Sequence, residues 1–152
     1  MAEPHGVPLD EVRQRRAELR EAMTGLEVAV AAPFPGRSEE WIADVSAAFA
    51  EFQSDFADHL EITERPGGLH DDLVETAPRL ASGVAHLVKE HHAITAAIAV
   101  VQVRLEEARQ DPENIPALRD ATLEVLGLLA RHRQRGSDLV WEAYTFDVGG
   151  ET

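Results

Sequence analysis

The chain has no cysteine among its 152 residues. This excludes a disulfide framework, a thiolate metal site, a Cys nucleophile and haem attached through Cys-x-x-Cys-His. Any redox chemistry must therefore use histidine and carboxylates. Basic residues are also scarce: 14 Lys and Arg against 28 Asp and Glu leave a formal net charge of −14. Such a charge repels phosphate backbones and anionic lipid at encounter distances, so neither a nucleic acid nor a membrane is an expected partner. No run approaches the ~20 apolar residues of a membrane span. The opening MAEPHGVPLDEV has neither the basic n-region nor the apolar h-region of an export signal, so the expected location is the cytoplasm. A GxSxG elbow, a Walker loop, a Rossmann fingerprint and HExxH are all missing. No catalytic residues are read, and enzyme activity is left open.

What is present is an ordinary apolar fraction, 44%, arranged in long intervals between a few Pro and Gly clusters. The intervals read with helical rather than alternating periodicity. The expected fold is all-α, an antiparallel up-down-up-down four-helix bundle forming one domain over 1–152. Helix one, about 9–32, places Val12, Leu19, Met23, Leu26 and Val30 on one stripe. Helix two, about 38–64, opens on Ser38 as an expected N-cap with Glu39 and Glu40 in its first turn. Its inner stripe is Val45, Ala48, Phe52, Phe56, His59 and Thr63, and it stops at Pro66-Gly67-Gly68. Leu69 to Pro78 forms a short connector helix. Helix three, about 80–109, carries a seam of Leu80, Val84, Leu87, His91, Ile94, Ile98, Val101 and Leu105 in alternating steps of four and three. Helix four, about 116–146, is defined by Leu118, Val125, Leu129, His132 and Leu139.

Arg37 to Glu75 holds eleven acidic and two basic residues, a net −9 on helix two and its connector. This reads as a solvated face, with a cation-attracting funnel as the minority reading. Arg131, Arg133 and Arg135 crowd helix four beside His132 and are expected to pair with acidic helix two, with anion binding as the minority reading. Trp141, Tyr144 and Phe146 form an aromatic C-terminal segment, read as packing onto helix one, or as the contact of a homodimer or a lid over the bundle end.

Seven histidines can be sorted by helical phase, and His59, His91 and His132 fall on the apolar stripes of three different helices. A buried imidazole must satisfy two ring nitrogens. Three of them facing one interior would be satisfied together by a metal ion, because packed helix axes lie only ~8–10 Å apart. His91 lies ~16 Å into helix three at 1.5 Å per residue, whereas His59 is close to the end of helix two. They can be level only if the connector climbs past part of that rise or helix two outruns Glu64. His86, Glu90 and His92 form a second constellation. It reads as a surface ion pair, or as an extra ligand pair or a carboxylate fixing an imidazole tautomer.

The run HLEITERPGGLHDDLVETAPRLASGVAHLVKEHHAITAAI, followed by LEVLGLLARHRQRGSDLVWEAY, resembles the hemerythrin-like (HHE cation-binding) family. There, a His near the end of the second helix precedes a Pro/Gly turn and short connector, then a Glu-His pair, then a His on the fourth helix. The resemblance implies a four-helix bundle around non-haem iron that serves oxygen binding, oxygen or iron sensing, or peroxide and nitric-oxide chemistry. It implies His59, His91 and His132 as ligands. It also exposes departures. Thr63 and Gly136 or Ser137 stand where the family places carboxylates, Glu64 and Asp138 fall one residue late, and helix one offers Leu19 and Met23 in place of a histidine.

The remaining inventory suits a single metal held by His59, His91, His132 and either Glu64 or water. Iron is the first choice, with zinc and manganese open, and dioxygen or a small redox ligand is the implied partner. The alternative is a metal-free, degenerate hemerythrin-like bundle acting as a protein-interaction module. A third reading is a small oxidoreductase with an open metal position.

Overall fold

The computed structural model describes residues 8–143. Every element among them is helical: α1 (Leu9–Ala31), α2 (Ser38–Glu64), α3 (Leu69–Thr76), α4 (Ala81–Gln110) and α5 (Ile115–Trp141), with short 3-10 turns at Pro78–Leu80 and Pro112–Asn114. The four long helices form an antiparallel bundle in which α1 pairs with α2 and α4 with α5, and α3 is the connector between the two hairpins. No helix among the described residues is long and apolar enough to cross a membrane.

The seam expected on the third long helix is buried at every position: Leu80, Val84, Leu87, His91, Ile94, Ile98, Val101 and Leu105. An unbroken four–three alternation keeps one line of a helix facing its partners. On α1 the buried positions include Ala22 in addition to the expected Val12, Leu19, Leu26 and Val30, while Met23 packs at the edge of the core. Ser38 is the first helical residue rather than the cap. The cap position is Arg37, whose carbonyl accepts from Trp41 N, and no side chain caps the end. The regular α-helix of α5 runs to Trp141 and continues as a π turn through Glu142 and Ala143, the last described residues; the expected end near 146, with Tyr144 and Phe146 of the aromatic segment, lies outside the described residues.

Arg119 of α5 closes one end of the bundle. Its guanidinium donates to the carbonyls of Val30 and Ala32 at 3.0 and 2.9 Å, and Trp41 Nε1 donates to Ala32 O at 3.0 Å. These bonds satisfy carbonyls that the end of α1 leaves without helical partners. The other end is closed by the connector. Leu69, Leu73, Ala77 and Leu80 form a second apolar cluster with Val12, Ile62, Val84 and Ala143, separate from the main core.

The turn that launches the connector requires its two glycines. Gly67 has φ +75°, and a Cβ on Gly68 would stand 2.7 Å from Ile62 O and 2.8 Å from Arg65 O. Any larger residue at these positions would open the turn. Asp71 then accepts from Gly67 N at 2.7 Å, fixing the start of α3. The chain thus rises through α3 and the Pro78–Leu80 turn before α4 begins, while α2 ends at Glu64. The connector supplies the climb.

Candidate metal centre

His59, His91 and His132 come from α2, α4 and α5 and meet at one level, along the border between the two apolar clusters. His59 Nε2 lies 3.1 Å from His91 Nε2 and 3.3 Å from His132 Nε2. The ring centroids of His91 and His132 are 4.5 Å apart. One ligating atom from each of the three lies within 4.8 Å of the others. Metal–nitrogen bonds of about 2.0–2.1 Å at tetrahedral angles would separate the nitrogens by about 3.3–3.4 Å. The observed spacings are already close to that value.

The outer nitrogens of two rings are held by carboxylates. His91 Nδ1 bonds Glu64 Oε2, and His132 Nδ1 bonds Glu90 Oε1 at 2.8 Å. A carboxylate at Nδ1 fixes the proton there and leaves the Nε2 lone pair facing inward. Burial lowers the pKa of His91 and of His132, against the opposing pull of Glu64 and Glu90, and drives His59 well below its ordinary value. All three rings are therefore neutral near pH 7. Two inward lone pairs and one His59 Nε2 then share a space in which a single His59 proton can serve only one neighbour at a time. A cation satisfies all three nitrogens together, and the chemistry of this donor set fits a divalent metal.

Glu64, expected as a fourth ligand, is placed one layer out. It grips the outer nitrogen of His91 from the last turn of α2, and the helix contains no bulge to turn it inward. Asp138 accepts from Gln134 on the exposed side of α5. Thr63 does not reach the centre either: its hydroxyl donates to His59 O at 2.7 Å.

Glu90 is more than a member of a surface pair with His86. His86 Nε2 does lie 3.6 Å away, but Glu90 is largely buried and spends one oxygen on His132 and the other on Arg135. Arg135 thus pairs with α4 rather than with acidic α2. Arg133, also expected to pair with α2, lines a cavity with Arg16 of α1.

His70 is the residue that sequence reasoning left without a role. It is 6% exposed, stacks on His91 with centroids 5.6 Å apart and planes at 13°, and its Nδ1 is buried without a hydrogen-bond partner. Burial, with His91 adjacent, lowers its pKa to about 4. The signal was its phase: His70, Leu73 and Ala77 fall at steps of three and four, and all three are buried. Arg16 carried a similar signal, four residues after Val12 and three before Leu19 on an apolar stripe.

A second acidic group, Glu18, Asp55 and Asp58, is partly exposed and bridged by Arg15 at 3.4 Å to Glu18 and 3.2 Å to Asp58. It belongs to the solvated acidic face. Comparisons with protein-family models, with curated proteins and with solved structures gave no match to this chain.

Proposed function

We propose that the protein is a hemerythrin-like, non-haem metal-binding bundle in which the Nε2 atoms of His59, His91 and His132 hold one divalent metal, iron before zinc or manganese. The observation that carries the reading is the convergence of three neutral imidazoles, two of them with carboxylates on their outer nitrogens. Bound iron supplies one-electron and oxygen-linked chemistry, which suits oxygen or redox sensing or iron handling. This chain's own residues orient the rings, keep them unprotonated and bury them within the bundle. With Thr63 and Gly136 where carboxylate bridges would stand, the donor set favours one metal over two.

The test is metal content. The protein is produced with iron supplementation, purified without a His-tag and assayed for iron, zinc and manganese per chain alongside its visible spectrum. One metal per chain, lost in His91→Ala and kept in His92→Ala, is the expected result; His92 is exposed and off the seam. Metal at trace level, with a melting temperature indifferent to chelator, would leave the metal-free interaction module as the better account. Two irons per chain with an oxo-bridge absorption would overturn the single-metal reading.

A further inference from the structure

Beside the histidine centre lies a cavity of about 40 Å³, with His59 and His132 on its inner wall and His70 on its connector side. Arg15, Arg16 and Arg133 share the rest of the wall with apolar side chains, Leu19 and Leu73 among them. Arg133, Arg16 and Arg20 also line an adjoining surface recess together with Arg13. In a chain with only 14 basic residues and a net charge of −14, this gathering of arginines is unexpected on average composition. Among the described residues, Arg16, Arg20 and Arg133 have no carboxylate within salt-bridge distance, whereas Arg15, Arg37, Arg65, Arg104, Arg109 and Arg135 each have one. Arg16 bonds only the hydroxyl of Ser137.

Two buried polar atoms on the same cavity residues also lack partners: Arg133 Nε and His70 Nδ1. Buried groups of this kind are normally hydrogen-bonded: Arg133 Nε, which can only donate, points to a missing acceptor, and His70 Nδ1 can donate to the same acceptor in the tautomer that carries its proton there. The small residues Thr63 and Gly136 line the cavity too, leaving it both the space and the positive balance that carboxylates there would remove.

We propose that this cavity binds a small planar oxyanion of the carboxylate or nitrite class, held by Arg16 and Arg133 beside His70. A guanidinium fork matches a planar oxyanion with two parallel hydrogen bonds, a geometry that lysine cannot reproduce. The volume sets the size: about three water-sized positions, enough for an acetate-sized ion and too little for a phosphate ester. The inference names a ligand class for the pocket of the metal reading and rests on that reading only for the adjacency of anion and metal; its donors are present without metal.

The test is calorimetric titration of sodium acetate into metal-free and zinc-loaded protein at constant ionic strength. Saturable binding of one acetate per chain is expected, about tenfold or more weaker in Arg133→Gln and Arg16→Gln and unchanged in Arg109→Gln, with helical content checked by circular dichroism. Arg16→Gln decides the matter if Arg133→Gln does not fold. Absence of saturable binding in both forms, or equal binding in the cavity variants and the wild type, overturns the proposal. Zinc uptake without acetate binding sinks the anion site alone. Acetate binding that depends on the two arginines, without zinc uptake, sinks the metal reading and upholds the anion site.

Discussion

Glu90 of α4 accepts a hydrogen bond from Nδ1 of His132 on α5 at 2.8 Å, and Arg135, three residues after His132, holds its other oxygen. Burial by itself would raise the pKa of Glu90, but the bonds from His132 and Arg135 outweigh it and the net shift is downward. The carboxylate is therefore ionised, and it fixes both the tautomer and the direction of the ring it holds.

Removing that partner should weaken metal binding without removing the site. Glu90→Ala is expected to lower zinc affinity ~10–100-fold while leaving the saturating stoichiometry unchanged, with Glu90→Gln intermediate. Competition against a chelating dye measures both quantities. An unchanged affinity in Glu90→Ala would mean that His132 is oriented by packing alone.

The connector is expected to be a structural member of the bundle rather than a loose loop. Leu73 is 1% exposed at the centre of the second apolar cluster. Leu73→Ala should cost ~2–5 kcal/mol, seen as a fall in Tm of roughly 4–20 °C at the scaling typical of this size. Val100, 46% exposed on α4, is the control; Val100→Ala should stay within about 0.5 kcal/mol of wild type. Equal effects at the two positions would show that the connector does not hold the bundle closed.

Gly25 sits in the interior of α1 at an exposed position, and a Cβ there would meet nothing within 4 Å. Gly25→Ala is expected to stabilise the protein by about 0.5–1 kcal/mol, since glycine loses more backbone freedom on entering a helix than alanine does. Thermal unfolding should register a gain of about 1–4 °C. A loss of stability would indicate that the helix bends at this residue.

Much of the bundle was legible because it depends on periodicity. The seam from Leu80 to Leu105 is wholly buried, and the same phase arithmetic singled out His59, His91 and His132 from seven histidines. Their shared level was not legible, since it depends on how far the chain rises between Glu64 and Ala81, a property of the Pro66-Gly67-Gly68 turn and the docking of α3. Glu64 shows a different limit. Counting in steps of four treats it as one residue out of phase, yet from the final turn of α2 its side chain reaches His91. Arg133 shows a third: a charge beside a histidine was read as serving the nearest acidic segment, whereas the structure turns it toward the arginines of α1.

The acidic face should carry a pH-dependent cost. Asp55 has its pKa raised, first by burial and then by Glu18, Asp58 and Glu51, with only Arg15 opposing. The folded state therefore keeps this proton to higher pH than the unfolded chain does, whose carboxyl titrates near its ordinary 3.8. Sign follows from linkage: the contribution of Asp55 to stability declines as pH rises through that value and the raised folded value, and the penalty is complete near neutrality. Asp55→Asn removes it. The variant should gain a few tenths of a kcal/mol at pH 7, because the group is partly exposed and screened. The gain should shrink at pH 4 and at 1 M salt. Paired urea melts of wild type and variant at both pH values measure it; a gain that is larger at pH 4 than at pH 7 would show that the folded state does not hold the Asp55 proton more tightly than the unfolded chain does.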